Sequence, residues 1–174
     1  MPTISRILFI EKSSEDIDIL GQLLAESGEN RYEMIPAGSV AAALELLTVH
    51  PFDIILIDSA STSVKEIELL RKLKSGYPEI PILLLTGFEN EDFILNAGFL
   101  DIRSYIYKHT LKARLLVKFL DNAAETQKML NELGRKEAEL EESEVRFRTM
   151  IEKNIYGIVI LDPDRKILYI NPTG

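Results

Sequence analysis

The sequence predicts an α/β fold, a doubly wound parallel sheet of five strands with helices on both faces. Three observations predict it. Apolar runs without alternation, ILFI at Ile7–Ile10, IILI at Ile54–Ile57 and ILLL at Ile82–Leu85, suit strands buried on both sides. Segments of helical periodicity alternate with these runs over about 120 residues, the pattern of parallel strands joined by right-handed crossovers. Turn and breaker residues fall between the two kinds of segment.

Taken in order, Ile4–Ile10 is the first strand and ends in Glu11-Lys12. Ser13 caps the next helix; Glu15 and Asp16 are acids in its first turn, and Ile17, Leu20, Leu23 and Leu24 are its apolar stripe. Gly28 and Asn30 stop it. Tyr32–Pro36 is a second, weaker strand. Ser39 caps a helix of good formers over Val40–Thr48, with Ala42, Leu46 and Leu47 predicted to face inward. His50-Pro51 breaks it ahead of the central strand, Phe52–Asp58. Val64–Ser75 is helical, carries Ile67, Leu70 and Leu73 on one face and ends at Gly76-Tyr77-Pro78. Ile80–Thr86 is the fourth strand, residues 89–96 a fourth helix closed by Ala97-Gly98, and Ser104–Lys108 a fifth strand. A fifth helix starts at Leu111 and does not stop where a globular domain should.

From Leu116 that helix carries two seven-residue series. Leu116, Ala123, Leu130, Glu137, Glu144 and Ile151 form one, and Phe119, Thr126, Leu133, Leu140 and Phe147 the other. Together they make a coiled-coil seam with weak points at Thr126, Glu137 and Glu144. Two readings stand: a two-stranded coiled coil giving a homodimer, or a lone helix with one stripe on its own domain. After it come two strand-like runs, Tyr156–Asp162 and Lys166–Asn171, around the turn residues Pro163-Asp164-Arg165. A lone hairpin is marginal in water, so the chain is expected to be cut inside a second domain. The expected organisation is a domain over 1–122, a helical linker over 123–150 and a fragment over 151–174.

The 174 residues are 46% hydrophobic and 28% charged, as in soluble globular chains. A formal net charge of −8 argues against nucleic acid as a partner. Cysteine is absent, which excludes disulfides and thiolate metal sites and fits a cytoplasmic location. No apolar run approaches the roughly 20 residues of a membrane span, so no membrane contact is expected in this segment. Neither His50 nor His109 stands in a metal-ligand spacing, and no glycine-rich phosphate loop occurs.

In a parallel sheet, chemistry sits outside the carboxyl ends of the strands. Glu11 with Lys12, Asp58, Thr86 and Lys108 all fall at such ends. A carboxylate, a hydroxyl and an ammonium on one rim suit phosphoryl transfer, since carboxylates form acyl phosphates and cations neutralise the transferred group. The competing reading is a structural ion pair between Asp58 and Lys108.

Residues 4 to about 122 resemble the receiver domain of two-component response regulators, through ILFIEKSSEDIDIL, FDIILIDS, ILLLTG and SYIYKHTL in that order. The resemblance implies a flavodoxin-like fold with strand order 2-1-3-4-5. It implies Asp58 as phosphoacceptor, Thr86 and Lys108 as the groups that contact the phosphoryl, and Thr86 and Tyr105 as the switch pair. It implies Mg²⁺ held by Glu11, Asp58 and the Ala60 backbone carbonyl, and a histidine kinase or phosphotransfer protein as phosphodonor. The segment itself is not expected to be an enzyme; the parent is open, a histidine kinase included. Four positions depart from the family pattern: Thr62, Glu66, Asp101 and His109. A fifth departure matters more. Lys12 stands where the family has its second acid, which removes an oxygen ligand and adds a repelling charge. Weakened Mg²⁺ binding and slow or absent phosphorylation are expected, with the Lys12 ammonium free to pair with Asp58. The rival reading is therefore a pseudo-receiver, a dimerisation and docking module that takes no phosphate. A third makes the chain the sensory part of a histidine kinase or cyclic-dinucleotide enzyme. The tail, FRTMIEKNIYGIVILDPDRKILYINPTG, resembles the opening of a PAS domain, with a generic hairpin as the alternative.

Overall fold

A computed structural model of the chain describes residues 4–28, 31–59, 64–87 and 104–172. The helix predicted over 89–96, and the positions Ala60, Thr62 and Asp101, lie outside the described residues. The chain divides into two compact units, Met1–Met129 and Leu130–Gly174.

In the first unit five strands form one parallel sheet: β1 Ser5–Ile10, β2 Tyr32–Ala37, β3 Ile54–Ser59, β4 Ile82–Thr86 and β5 Ser104–Tyr107. Their order is β2-β1-β3-β4-β5, the doubly wound, flavodoxin-like arrangement that the sequence predicts. The helices are α1 Ser14–Glu26, α2 Val40–Val49, α3 Val64–Gly76 and α4 Ala113–Glu152.

Successive strand residues point to opposite faces, so an unbroken apolar run feeds two cores at once. Leu8, Ile55, Ile57 and Leu84 pack with Ala43 and Leu47 of α2 and Leu70 and Leu73 of α3. Ile7, Phe9, Ile54, Leu56, Leu83 and Leu85 pack with Leu20 and Leu24 of α1 and Leu116 and Leu120 of α4. Ile7, Leu8, Ile54, Ile55, Leu56 and Leu120 are fully buried. Truncating any of these leucines or isoleucines to Ala costs about 2–5 kcal/mol.

The local signals behave as their chemistry requires. The hydroxyl of Ser13 accepts from the Asp16 amide at 3.3 Å, and that of Ser39 from the Ala42 amide at 3.1 Å. Gly28 ends α1 in the left-handed region at φ 71°, where a Cβ is strained. Strand β2 is an edge strand, which explains both its weak apolar run and its tolerance of Pro36. Two details differ from the sequence reading. Ala43 is the fully buried small residue of α2, one helical turn before Leu47, while Ala42 and Leu46 are partly buried. Lys108 is not in β5 but opens a 3₁₀ turn, Lys108–Thr110, closed by the Leu111 amide on the Lys108 carbonyl at 3.1 Å.

The second unit holds the later part of α4 and an antiparallel hairpin of β6 Val159–Leu161 and β7 Ile167–Ile170. Asp162 builds the turn, its carboxylate accepting from the Lys166 amide at 2.8 Å, with Arg165 at φ 65°. Asn171, buried, ties helix to hairpin. Its Nδ2 donates to the carbonyls of Ile151 and Tyr156, both at 3.0 Å, and its Oδ1 accepts from the Ile158 amide at 2.8 Å. Leu130, Leu133, Leu140 and Phe147 of the predicted seam are exposed.

Candidate functional site

Strand register brings the carboxyl ends of the central strands to one rim. Ile10 stands opposite Ile57, so Glu11 follows β1 where Asp58 follows in β3. Asp58 is opposite Leu85, Ser59 opposite Thr86, and Thr86 opposite Tyr107, the residue before Lys108. Thr86 is buried at the end of β4. By strand alternation it follows the face of Ile82 and Leu84, the side on which the half-buried Tyr105 packs. Tyr105 also meets the ring of Tyr107 edge-on, with centroids 5.8 Å apart.

Asp58 and Lys108 form an ion pair, with the Asp58 side chain 1% exposed and that of Lys108 33%. It is a charge–charge contact. Among the described residues neither Asp58 oxygen accepts a hydrogen bond of good geometry. Burial pushes the Asp58 carboxyl from 3.8 up to about 6; Lys108 pulls it down and Glu11 pushes it further up. For Lys108, burial opposes the charge, but Asp58 and Asp16 more than offset it, and its pKa is raised above the usual lysine value.

Asp16 is a residue that the sequence reading leaves as an acid in the first turn of α1. Its Oδ2 lies 3.1 Å from the Lys108 ammonium. Carboxylate oxygens of Glu11, Asp16 and Asp58 all come within 4.8 Å of one another. The local cause is visible at the start of α1. With Ser13 as cap, Asp16 is the third helical residue, where an acid normally turns back to the cap amide. Here Glu11 Oε1 takes that amide at 2.7 Å, together with the Lys12 amide at 2.6 Å. Asp16 is left to face the rim. An acid at that helical position beside a rim acid is the signal that could have found it.

Lys12 behaves otherwise than expected. Its side chain is exposed and has no ion-pair partner among the described residues; the cation on Asp58 is Lys108. The Lys12 and Ser13 amides both donate to Glu11 Oε1, which ties the backbone of this loop to Glu11. Among the described residues three carboxylates therefore cluster about one ammonium. This oxygen-only, electron-rich set, with buried Asp58 oxygens that accept no hydrogen bond among the described residues, fits a hard divalent cation such as Mg²⁺.

Residues 7–120 match the family model of the response regulator receiver domain. The chain belongs to the receiver domain family. The proteins it is similar to are of several kinds. A hydrogenase transcriptional regulatory protein, HoxA, of Cupriavidus necator is 25% identical over 138 residues, 79% of this chain and 28% of that protein. A probable cyclic di-GMP phosphodiesterase of Vibrio cholerae is 30% identical over 88 residues, 49% of this chain and 19% of that protein. This chain thus spans less than a third of either relative. The signal receiver domain of an HD domain-containing protein from Pseudomonas fluorescens superposes with a TM-score of 0.63 at 24% identity, covering 72% of this chain and 98% of that one. Among the described residues no helix of this receiver is long and apolar enough to cross a membrane.

Proposed function

We propose that this receiver domain accepts a phosphoryl group on Asp58 from a histidine kinase or phosphotransfer protein in the cytoplasm. One observation carries the reading: a buried carboxylate at the end of the central strand whose Oδ2 is paired with Lys108 while Oδ1 accepts no hydrogen bond among the described residues. In this reading an Asp58 oxygen, Oδ1, acts as nucleophile. It forms a bond to phosphorus as the bond from phosphorus to the donor nitrogen breaks, and the electron pair stays on that nitrogen. The Lys108 ammonium then sits beside the new phosphoryl oxygens, and the Thr86 hydroxyl at the neighbouring strand end is positioned to follow them. Glu11, Asp58 and the Ala60 carbonyl are the ligands that the family resemblance suggests for Mg²⁺, which supplies charge neutralisation when bound. Thr86 and Tyr105, on one face of the sheet, would carry the change as the switch pair.

The output is read through the long helix. The exposed residues Leu133, Leu140 and Phe147 keep seven-residue spacing, with the exposed Leu130 from the other series, and a single helix exposed all round is marginal in water. A second copy on that seam gives a homodimer, and the hairpin, with Val159, Leu161, Ile167, Leu168 and Ile170 exposed, is the PAS-like element that receives the signal. Incubation with acetyl phosphate and Mg²⁺, read by intact mass, tests the acceptor. One phosphoryl group per chain, lost in Asp58→Asn, is expected; an unmodified chain, or equal modification of the variant, refutes it.

One observation favours the pseudo-receiver reading, in which the domain only docks: Lys12 stands where an acid is usual, and Lys108 is already held by two carboxylates. An unmodified chain that still dimerises supports it. The relatives' phosphodiesterase and regulator names leave the sensory part of a larger enzyme, a histidine kinase included, as a further reading of the parent.

A further inference from the structure

We propose that Asp16 is a divalent-cation ligand of this chain and takes the place of the acid that is missing at Lys12. The inference rests on the cation-dependent reading of the rim given above and adds a residue that this reading does not require. Three observations carry it. The Asp16 carboxylate lies within 4.8 Å of those of Glu11 and Asp58, though it comes from the first turn of α1 and not from the strand end. Asp58 brings a carboxylate oxygen to the same cluster from a side chain that is 1% exposed, and neither of its oxygens accepts a hydrogen bond among the described residues. Glu11 has one oxygen engaged by two backbone amides, so fewer of its lone pairs are left for a cation.

The placement has a consequence for Lys108. The Lys108 ammonium is held by both Asp58 and Asp16. A dication on the Asp16 carboxylate competes for the charge that holds the ammonium, and Lys108 keeps less attraction toward α1. Asp16 then links cation binding to the freedom of Lys108.

The test is Mn²⁺ binding, read by the loss of the free-ion electron paramagnetic resonance signal, on the whole chain and on Asp16→Asn, Asp58→Asn, Lys12→Asp/Asp16→Asn and Lys108→Ala. Asp16→Asn is expected to weaken binding at least about tenfold, and the added acid in Lys12→Asp/Asp16→Asn to restore most of it. That restoration separates a lost ligand from a damaged fold. Lys108→Ala is expected to tighten binding by removing the competing ammonium. Asp16→Asn binding as the parent does, while Asp58→Asn binds nothing, overturns the role of Asp16 and leaves the cation site standing. No binding by the parent chain overturns both.

Discussion

Replacing Asp58 by Asn removes a carboxylate that ionises against its surroundings, and the gain can be worked out. The carboxyl titrates at about 6 in the folded chain against 3.8 for the ordinary group, chiefly because it is buried. At about 1.36 kcal/mol per unit, that rise corresponds to roughly 3 kcal/mol. An acid with a raised pKa binds its proton more tightly folded than unfolded. Its contribution is therefore fully present below pH 3.8 and lost as the pH rises through about 6. Asn has the same shape and no charge to lose. Urea denaturation of parent and variant, followed by circular dichroism across this range, measures the effect. The quantity to read is the difference between the two proteins, because the remaining carboxylates titrate in both and cancel. The variant is expected to gain on the parent steadily with pH and to level off above about pH 7 at an advantage of about 1–3 kcal/mol. A difference that is flat with pH would mean that Lys108 fully compensates the buried charge, and the burial argument would be wrong.

Three other outcomes are expected. Lys108→Ala strips Asp58 of its cation, so it should cost about 1–2 kcal/mol near pH 7.5 and much less near pH 5, where Asp58 carries its proton; the figure is kept low because the Lys108 side chain is a third exposed. Equal costs at the two pH values count against it. Asn171→Ala removes three hydrogen bonds, one to the helix at Ile151 and two to the segment leading into the hairpin, and hydrogen exchange should speed at the Ile158 amide and through the hairpin while β1 to β5 keep their protection. Leu133→Glu/Leu140→Glu should yield a monomer in sedimentation with an intact first unit, since both side chains lie on the exposed seam; an unchanged mass places the contact elsewhere.

What the sequence revealed divides along a physical line. Strands buried on both faces must be apolar throughout, so β1, β3 and β4 are legible residue by residue. Caps are local, so Ser13, Ser39 and Gly28 are legible too. Asp58 and Lys108 are readable because strand ends in a parallel sheet converge whatever the side chains do. Asp16 was not, because its freedom depends on which acceptor wins the Ser13 amide, and Glu11 wins it. The clamp of Arg31 and Tyr32 on Asp121 of α4 joins residues 90 and 89 positions apart; no local pattern announces it.

The energetics of the rim and its proposed chemistry are one problem. A carboxyl that titrates at about 6 is roughly nine-tenths ionised at pH 7, so it is available as a nucleophile while remaining more basic than an ordinary aspartate. Its basicity comes from burial, and burial is what costs stability. Lys108 offsets only part of that cost, because it is shared with Asp16 and partly open to solvent. Any further positive charge that enters the rim is therefore drawn by a deficit the fold has already built, three carboxylates against one ammonium among the described residues. Neutralising the deficit with a lysine turned inward at position 12 would stabilise the domain and silence it. With Lys12 exposed, the excess of carboxylate over ammonium is retained, and the proposed phosphoryl acceptor would draw on it for its cation.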